Sequence, residues 1–235
     1  MRYFFEHIHS LESGNNLIAQ NNHETPVISV AKEKSWDEAW ENVFQNQDWG
    51  KYPPEELIRF VARNYYRAPI RRRIRFLDLG CGTGACSWYL AREGFQVYGV
   101  DGARTAIEKA RQRFAQEGMV GDFKIMDFMK LDFPDSYFDA VIDVCALQCN
   151  DIKNAPTIIA EVGRVLNPEG RVFSMLVARG SWAGPYVNQG HVHFYELDEV
   201  RQLFSGFHDL AIEVSERSEN SMKDRVVHWV VSCKK

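Results

Sequence analysis

Four short apolar runs in this chain each end in an aspartate: Arg75-Phe76-Leu77-Asp78, Gln96-Val97-Tyr98-Gly99-Val100-Asp101, Phe123-Lys124-Ile125-Met126-Asp127 and Ala140-Val141-Ile142-Asp143. The first runs straight into Leu79-Gly80-Cys81-Gly82-Thr83-Gly84. Apolar runs of this length, bounded by turn signals, read as parallel strands buried on both faces. In an open parallel sheet the ligand sits beyond the carboxyl ends of the strands, where the strand order reverses. Aspartates repeated at those ends describe an acidic rim rich in hydrogen-bond acceptors. Such a rim is poor for a polyphosphate and good for a hydroxyl-bearing or cationic ligand.

Strands and helices alternate from Ile74 onward. Strands are expected at 95–101, 122–127, 138–144 and 172–177 after the first, with helices near 84–93, 103–117, 154–166 and 196–205. Pro156 falls in the first turn of the third of these helices, and Asn167-Pro168-Glu169-Gly170 reads as a turn into the fifth strand. The segments 207–215 and 226–233, separated by polar residues, predict a closing antiparallel hairpin. Upstream, Ser35-Trp36-Asp37-Glu38 has the Ser-x-x-Glu form of a helix N-cap. Trp36, Ala39, Trp40, Val43 and Phe44 follow at helical spacing, and a second helix begins around Pro54-Glu55-Glu56. Residues 1–34 show no clear period and are expected to be loosely ordered or draped over the domain. The fold expected is a doubly wound α/β sheet with an N-terminal helical segment.

At 235 residues the chain suits one α/β domain with an appended N-terminal segment, and a net charge of −4 gives no general basic footprint for nucleic acid or anionic lipid. Its five cysteines lack the density of a disulfide scaffold. Cys145 and Cys149 have no second pair nearby to complete a zinc set, so no metal site is expected. Free thiols, no span-length apolar run and no signal-peptide pattern at the N-terminus point to a cytoplasmic protein without a membrane partner.

The glycine turn admits two ligands. With Ala85 it fits Gly-x-Gly-x-x-Ala, a dinucleotide fingerprint, and Asp101 stands where a ribose-binding acid should be. S-adenosylmethionine would use the same helix start for its carboxylate, but brings an ammonium and a sulfonium instead of a diphosphate. Asp78, Asp127 and Asp143 around the turn favour the cation.

The run Leu77-Asp78-Leu79-Gly80-Cys81-Gly82-Thr83-Gly84 resembles the first motif of class I S-adenosylmethionine-dependent methyltransferases. Tyr98-Gly99-Val100-Asp101, Asp127-Phe128, Phe138-Asp139-Ala140-Val141-Ile142-Asp143 and Glu161–Gly170 resemble that family's later motifs in order, covering roughly residues 50–235. The resemblance implies a seven-stranded, mostly parallel sheet with the last strand antiparallel. It also implies that Gly80, Gly82 and Gly84 line the aminoacyl end, with Cys81 contributing backbone, and that Asp78 orients the amino group. Asp101 would accept both ribose hydroxyls, with Gly102 letting the adenosine lie close; Asp127 would accept from the adenine amino group with Phe128 beside the ring; Asp143 would face the methionine portion.

A methyl acceptor carrying a hydroxyl can need a base, and His193 is the candidate, in a segment whose Trp182, Tyr186 and His191 are candidates for holding the acceptor. Trp36, Trp40 and Phe44 read as core, whereas Trp49 and Tyr52 read as a lid, so residues 1–52 are taken as an N-terminal segment with a possible lid and 53–235 as the cofactor-binding domain. Arg71-Arg72-Arg73 reads as a solvated loop. The fourth motif lacks the Asn-Pro-Pro-aromatic sequence of amino-methylating DNA enzymes, so a small-molecule acceptor is preferred, DNA is not expected and RNA stays open. The alternatives are a nicotinamide oxidoreductase, disfavoured because no Tyr-x-x-x-Lys pair is present, and a non-catalytic cofactor-binding subunit.

Overall fold

The structure is a computed structural model, and it describes residues 34–47, 49–184 and 190–235. The expectation for the first 33 residues, and the candidate Tyr186, lie outside the described residues.

Seven strands form one sheet: β1 (Arg75–Leu79), β2 (Gln96–Asp101), β3 (Asp122–Ile125), β4 (Phe138–Val144), β5 (Leu166–Val177), β6 (His208–Glu219) and β7 (Asp224–Lys234). Their order is β3-β2-β1-β4-β5-β7-β6. β1 to β5 pair in parallel, and β7 is inserted antiparallel between β5 and β6. The chain winds outward from β1 to β3, then returns to β4 on the other side of β1. That reversal opens a crevice beyond the carboxyl ends of β1 and β4.

Alternation along β1 sets the two faces. Phe76 packs with α2 (Glu55–Tyr65), α3 (Ala85–Arg92) and the inward side chains Val97, Ile142 and Phe173. Leu77 and Leu79 turn the other way, onto α5 (Ala155–Val165) and α6 (Leu197–Leu203), through Ile158, Val162 and Val200. Strands with a helical layer on each side are apolar on both faces, which is why the runs read continuously in the sequence. α4 (Arg104–Gln116) closes the β2–β3 end, packing Ile107, Ala110 and Phe114 on Phe123. Arg164 on α5 staples the β3–β4 connection by donating to Leu131 O at 2.7 Å and Phe133 O at 2.8 Å.

Three local expectations are corrected. Ser35 is not a helix cap: α1 runs Ala39–Asn46, the Ser35 N–H donates to Asp127 Oδ2 at 2.8 Å, and Trp36 makes an isolated antiparallel bridge with Asn150. Long-range main-chain pairing has won over the local cap. Residues 167–170 do not precede the fifth strand but lie within its span: the β4–β5 register jumps from Phe138↔Leu166 to Ala140↔Arg171, and Glu169 takes φ 62°. β3 ends at Ile125, so Asp127 belongs to the loop beyond it.

Candidate active site

A cleft partly open to solvent lies at the reversal point, where ligands bind in open α/β sheets. Its floor is the turn after β1. Gly80, Gly82 and Gly84 all have positive φ (73°, 51° and 84°), and Gly84 is the N-cap of α3. At Gly80 a side chain is also excluded by space, because a Cβ would lie 2.0 Å from Ala146 Cβ. The turn is held from β2: the Gly82 N–H donates to Asp101 Oδ2 at 2.9 Å, and Ala103 N–H donates to Oδ1 at 2.9 Å. Cys81 lines the cleft, and its thiol packs close to Gly99 in a cluster that includes Phe123.

Asp78 is 1% exposed, and its Oδ2 accepts from the Ser87 N–H at 2.9 Å and the Ser87 hydroxyl at 2.6 Å. Burial pushes its carboxyl up to about 7, Ser87 works against that, and Asp101 and Asp143 nearby add to the rise. Burial likewise lifts Asp101 to about 6, against the pull of the main-chain donors at Ala103 and Gly82. Among the described residues these two aspartates are the only charged side chains on the cleft wall; no lysine, arginine or histidine lines it. Two buried carboxylates with raised pKa, facing a cleft, mark a site that gains from a cationic ligand.

The roof is aromatic. Trp40, Phe44 and Trp49 form a cluster with ring centroids 5.4–6.3 Å apart, directly above Gly82. Tyr52 and Trp36 also line the cleft, and the Trp36 ring lies against Gly102, where a Cβ would meet it at 2.5 Å. Trp36, Trp40 and Phe44, expected as core, all line the cleft; Phe44 is also buried in a core cluster with Ala103 and Ala106, against which Trp40 packs, so the expectation is corrected for Trp36. Phe128 is buried and lines it from the opposite loop. Cys86, Cys145 and Cys149 stand on its walls, but burial holds the thiols of all three well above their ordinary range, which keeps them protonated.

Several expected site residues lie elsewhere. Asp143 does not line the cleft: Oδ1 accepts from Ala146 N–H and Leu147 N–H at 2.9 Å each, and Oδ2 from the Ser174 hydroxyl at 2.6 Å. It caps the loop after β4. Asp127 is also off the cleft wall, with Oδ1 accepting from Met129 N–H at 2.9 Å and Oδ2 from Ser35. His193, the candidate base, pairs its Nε2 with Glu199 Oε2 at 3.1 Å and sits edge-on to Tyr195, outside the cleft lining. Glu199 is simultaneously the acid of the capping box that starts α6, a Glu196-x-x-Glu199 spacing legible in the sequence. His191 is exposed and donates its N–H to Asp37 Oδ2 at 3.0 Å, and Trp182 donates its N–H to Arg225 O at 2.7 Å; neither lines the cleft. The sequence reading missed Asn150, a buried residue of the cleft wall whose Oδ1 has no partner. Its position seven residues after the strand-end Asp143 was the available signal.

Comparison with known proteins agrees with this geometry. Residues 76–170 match the family described as "Methyltransferase domain". The chain is 39% identical over 97 residues to "Ubiquinone/menaquinone biosynthesis C-methyltransferase UbiE" of Desulfotalea psychrophila, covering 40% of this chain and 38% of that protein. It is 33% identical over 140 residues to "Biotin biosynthesis bifunctional protein BioHC" of Saccharophagus degradans, covering 54% of this chain and 25% of that protein. The chain thus spans well under half the length of these two relatives. A solved S-adenosylmethionine-dependent methyltransferase from Methanosarcina mazei shares the fold, with a TM-score of 0.59 and 23% identity over 68% of this chain and 92% of its own. Strand order, glycine turn, strand-end acids and sequence match point the same way: residues 76–170 match a methyltransferase domain, set in a fold shared with a solved S-adenosylmethionine-dependent methyltransferase.

Proposed function

We propose that this protein transfers a methyl group from S-adenosylmethionine to a small-molecule acceptor. The observation that carries the reading is the charge of the cleft: its wall has two carboxylates and, among the described residues, no cationic side chain. The residues present fit the cofactor. Asp78 and Asp101 offer acceptors for an ammonium and for ribose hydroxyls, the turn at Gly80, Gly82 and Gly84 leaves room for close approach, and Phe128 offers an apolar face. The buried N–H of Trp40 Nε1, without a partner in the roof, is a donor still to be used. A nicotinamide dinucleotide would bring its pyrophosphate against both aspartates.

When bound, the cofactor supplies an electrophilic methyl carbon on a sulfonium. The chain's residues then have three tasks. Asp78 and Asp101 bind and orient; they do not lower the barrier, because positive charge on sulfur declines toward the transition state. The turn after β1 fixes the line of approach. Trp40, Phe44, Trp49 and Tyr52, as a lid drawn from the segment before residue 53, keep water out. Since His193 is engaged by Glu199, the reading assigns it no proton transfer. The acceptor then carries a nucleophile that reacts without an imidazole from this segment.

The acceptor is taken as a small molecule because the relatives' names place them in the biosynthesis of biotin and of quinones. A cytoplasmic location belongs to the same proposal; among the described residues no helix is long and apolar enough to cross a membrane. Calorimetry with S-adenosylhomocysteine against NAD and NADP tests the cofactor, with binding of the first alone expected. Isotopically labelled S-adenosylmethionine with cell extract, followed by mass identification of labelled products, tests transfer. Binding without labelled product would favour a non-catalytic subunit, and binding of a nicotinamide dinucleotide in its place would overturn the proposal.

A further inference from the structure

Asp127, the residue that the sequence offers for the adenine amino group, is occupied. Each of its carboxylate oxygens accepts a main-chain N–H, from Ser35 at 2.8 Å and Met129 at 2.9 Å, and it is absent from the cleft wall. Asn150 has the opposite character. It is 2% exposed, lines the cleft, and donates Nδ2 to Ala146 O at 3.0 Å and Leu147 O at 3.4 Å. Those two contacts fix which way the amide points, because turning it over would set its oxygen against two carbonyls. What remains is Oδ1, a buried acceptor with no partner. A buried carbonyl oxygen left unpaired is costly, and such an atom on a cleft wall calls for a donor from the ligand.

Its surroundings identify the donor. Asn150 is bridged to Trp36 by main-chain pairing, and the Trp36 ring lies against Gly102, next in the chain to Asp101. Phe128 lines the same cleft. A flat aromatic group entering between these rings would bring its edge to Asn150 while its sugar reaches Asp101. On the S-adenosylmethionine reading above, on which this inference rests, we propose that Asn150 Oδ1 accepts from the exocyclic amino group of adenine and that Trp36 supplies one wall of the base pocket. A fixed amide oxygen accepts from a 6-amino group and repels a 6-oxo group, so Asn150 is a specificity-determining residue for the base.

The test is calorimetry on the full chain with S-adenosylhomocysteine and its 6-oxo counterpart, S-inosylhomocysteine. Wild type is expected to prefer the 6-amino compound at least tenfold. Asn150→Leu is expected to bind S-adenosylhomocysteine about tenfold more weakly and to favour it by less than threefold. Asp127→Asn is expected to keep the wild-type preference. Retained preference in Asn150→Leu, or its loss in Asp127→Asn, overturns the assignment. If Asn150→Leu does not fold, wild type and Asp127→Asn decide the matter by the same criterion. Equal binding of both compounds to wild type defeats this inference alone, whereas binding of neither defeats the cofactor reading and this inference with it.

Discussion

Gly82 donates its main-chain N–H to Asp101 Oδ2 across 2.9 Å, so the turn after β1 is fastened to the acid that ends β2. One carboxylate therefore shapes the floor and faces the ligand. Replacing Asp101 with alanine removes the acceptor for both Gly82 and Ala103. The expected outcome is a loss of S-adenosylhomocysteine affinity of about a hundredfold, read by calorimetry, beside a destabilisation of about 1–3 kcal/mol in urea unfolding.

Asp143 stands one residue before the end of β4, level with Val100 rather than Asp101 on β2, and its bonds run inward to Ala146, Leu147 and Ser174. Asp143→Ala is expected to cost about 1–3 kcal/mol of stability by leaving buried donors unpaired, and to change S-adenosylhomocysteine affinity of the folded protein less than threefold. Urea titration beside calorimetry checks both halves.

The raised carboxyls of Asp78 (about 7) and Asp101 (about 6) give opposite pH trends for folding and for binding. The folded chain holds these protons at a pH where the unfolded chain has released them. Their contribution to stability is full below the ordinary carboxylate range and is lost as pH rises through 6 and 7. The cationic cofactor favours the ionised forms. Affinity for S-adenosylmethionine is therefore expected to rise from pH 5.5 to pH 8, with proton release near pH 6.5 seen as a buffer-dependent heat in calorimetry.

At Gly80 two constraints act together: φ of 73° and the 2.0 Å approach to Ala146. Gly80→Ala is expected to destabilise by about 1–3 kcal/mol. Adding Ala146→Gly relieves the collision but not the backbone strain, so the double variant should recover only part of the loss in urea unfolding.

His193 is tied to the acid that caps α6. His193→Gln is expected to leave turnover within twofold of wild type across a pH series once a labelled product is identified, and to lower the melting temperature by a few degrees. A lost basic limb in that profile would reinstate it as a base.

The strand ends were readable because a parallel strand buried on both faces needs an unbroken apolar run, and its last residue needs only to emerge at the cleft. Asp78 and Asp101 were found in this way, and both line it. The same rule failed at Asp143, where Ser174 stands opposite in the β4–β5 register, a pairing that no local pattern announces. Trp36 and Asn150 were invisible for the same reason: each acquires its position from the other, across more than a hundred residues of chain. His193 is a different kind of miss. Its partner Glu199 was in plain view, but the ring chemistry of a histidine drew attention before the helix start did.

The segment at 34–36 is attached to the domain by atoms that every amino acid carries: a peptide nitrogen reaching Asp127, and a main-chain bridge to Asn150. Because the Ser35 side chain is also buried, the position tolerates only residues small enough to keep those main-chain contacts. Proline would cut the first of them outright, since it has no hydrogen on that nitrogen.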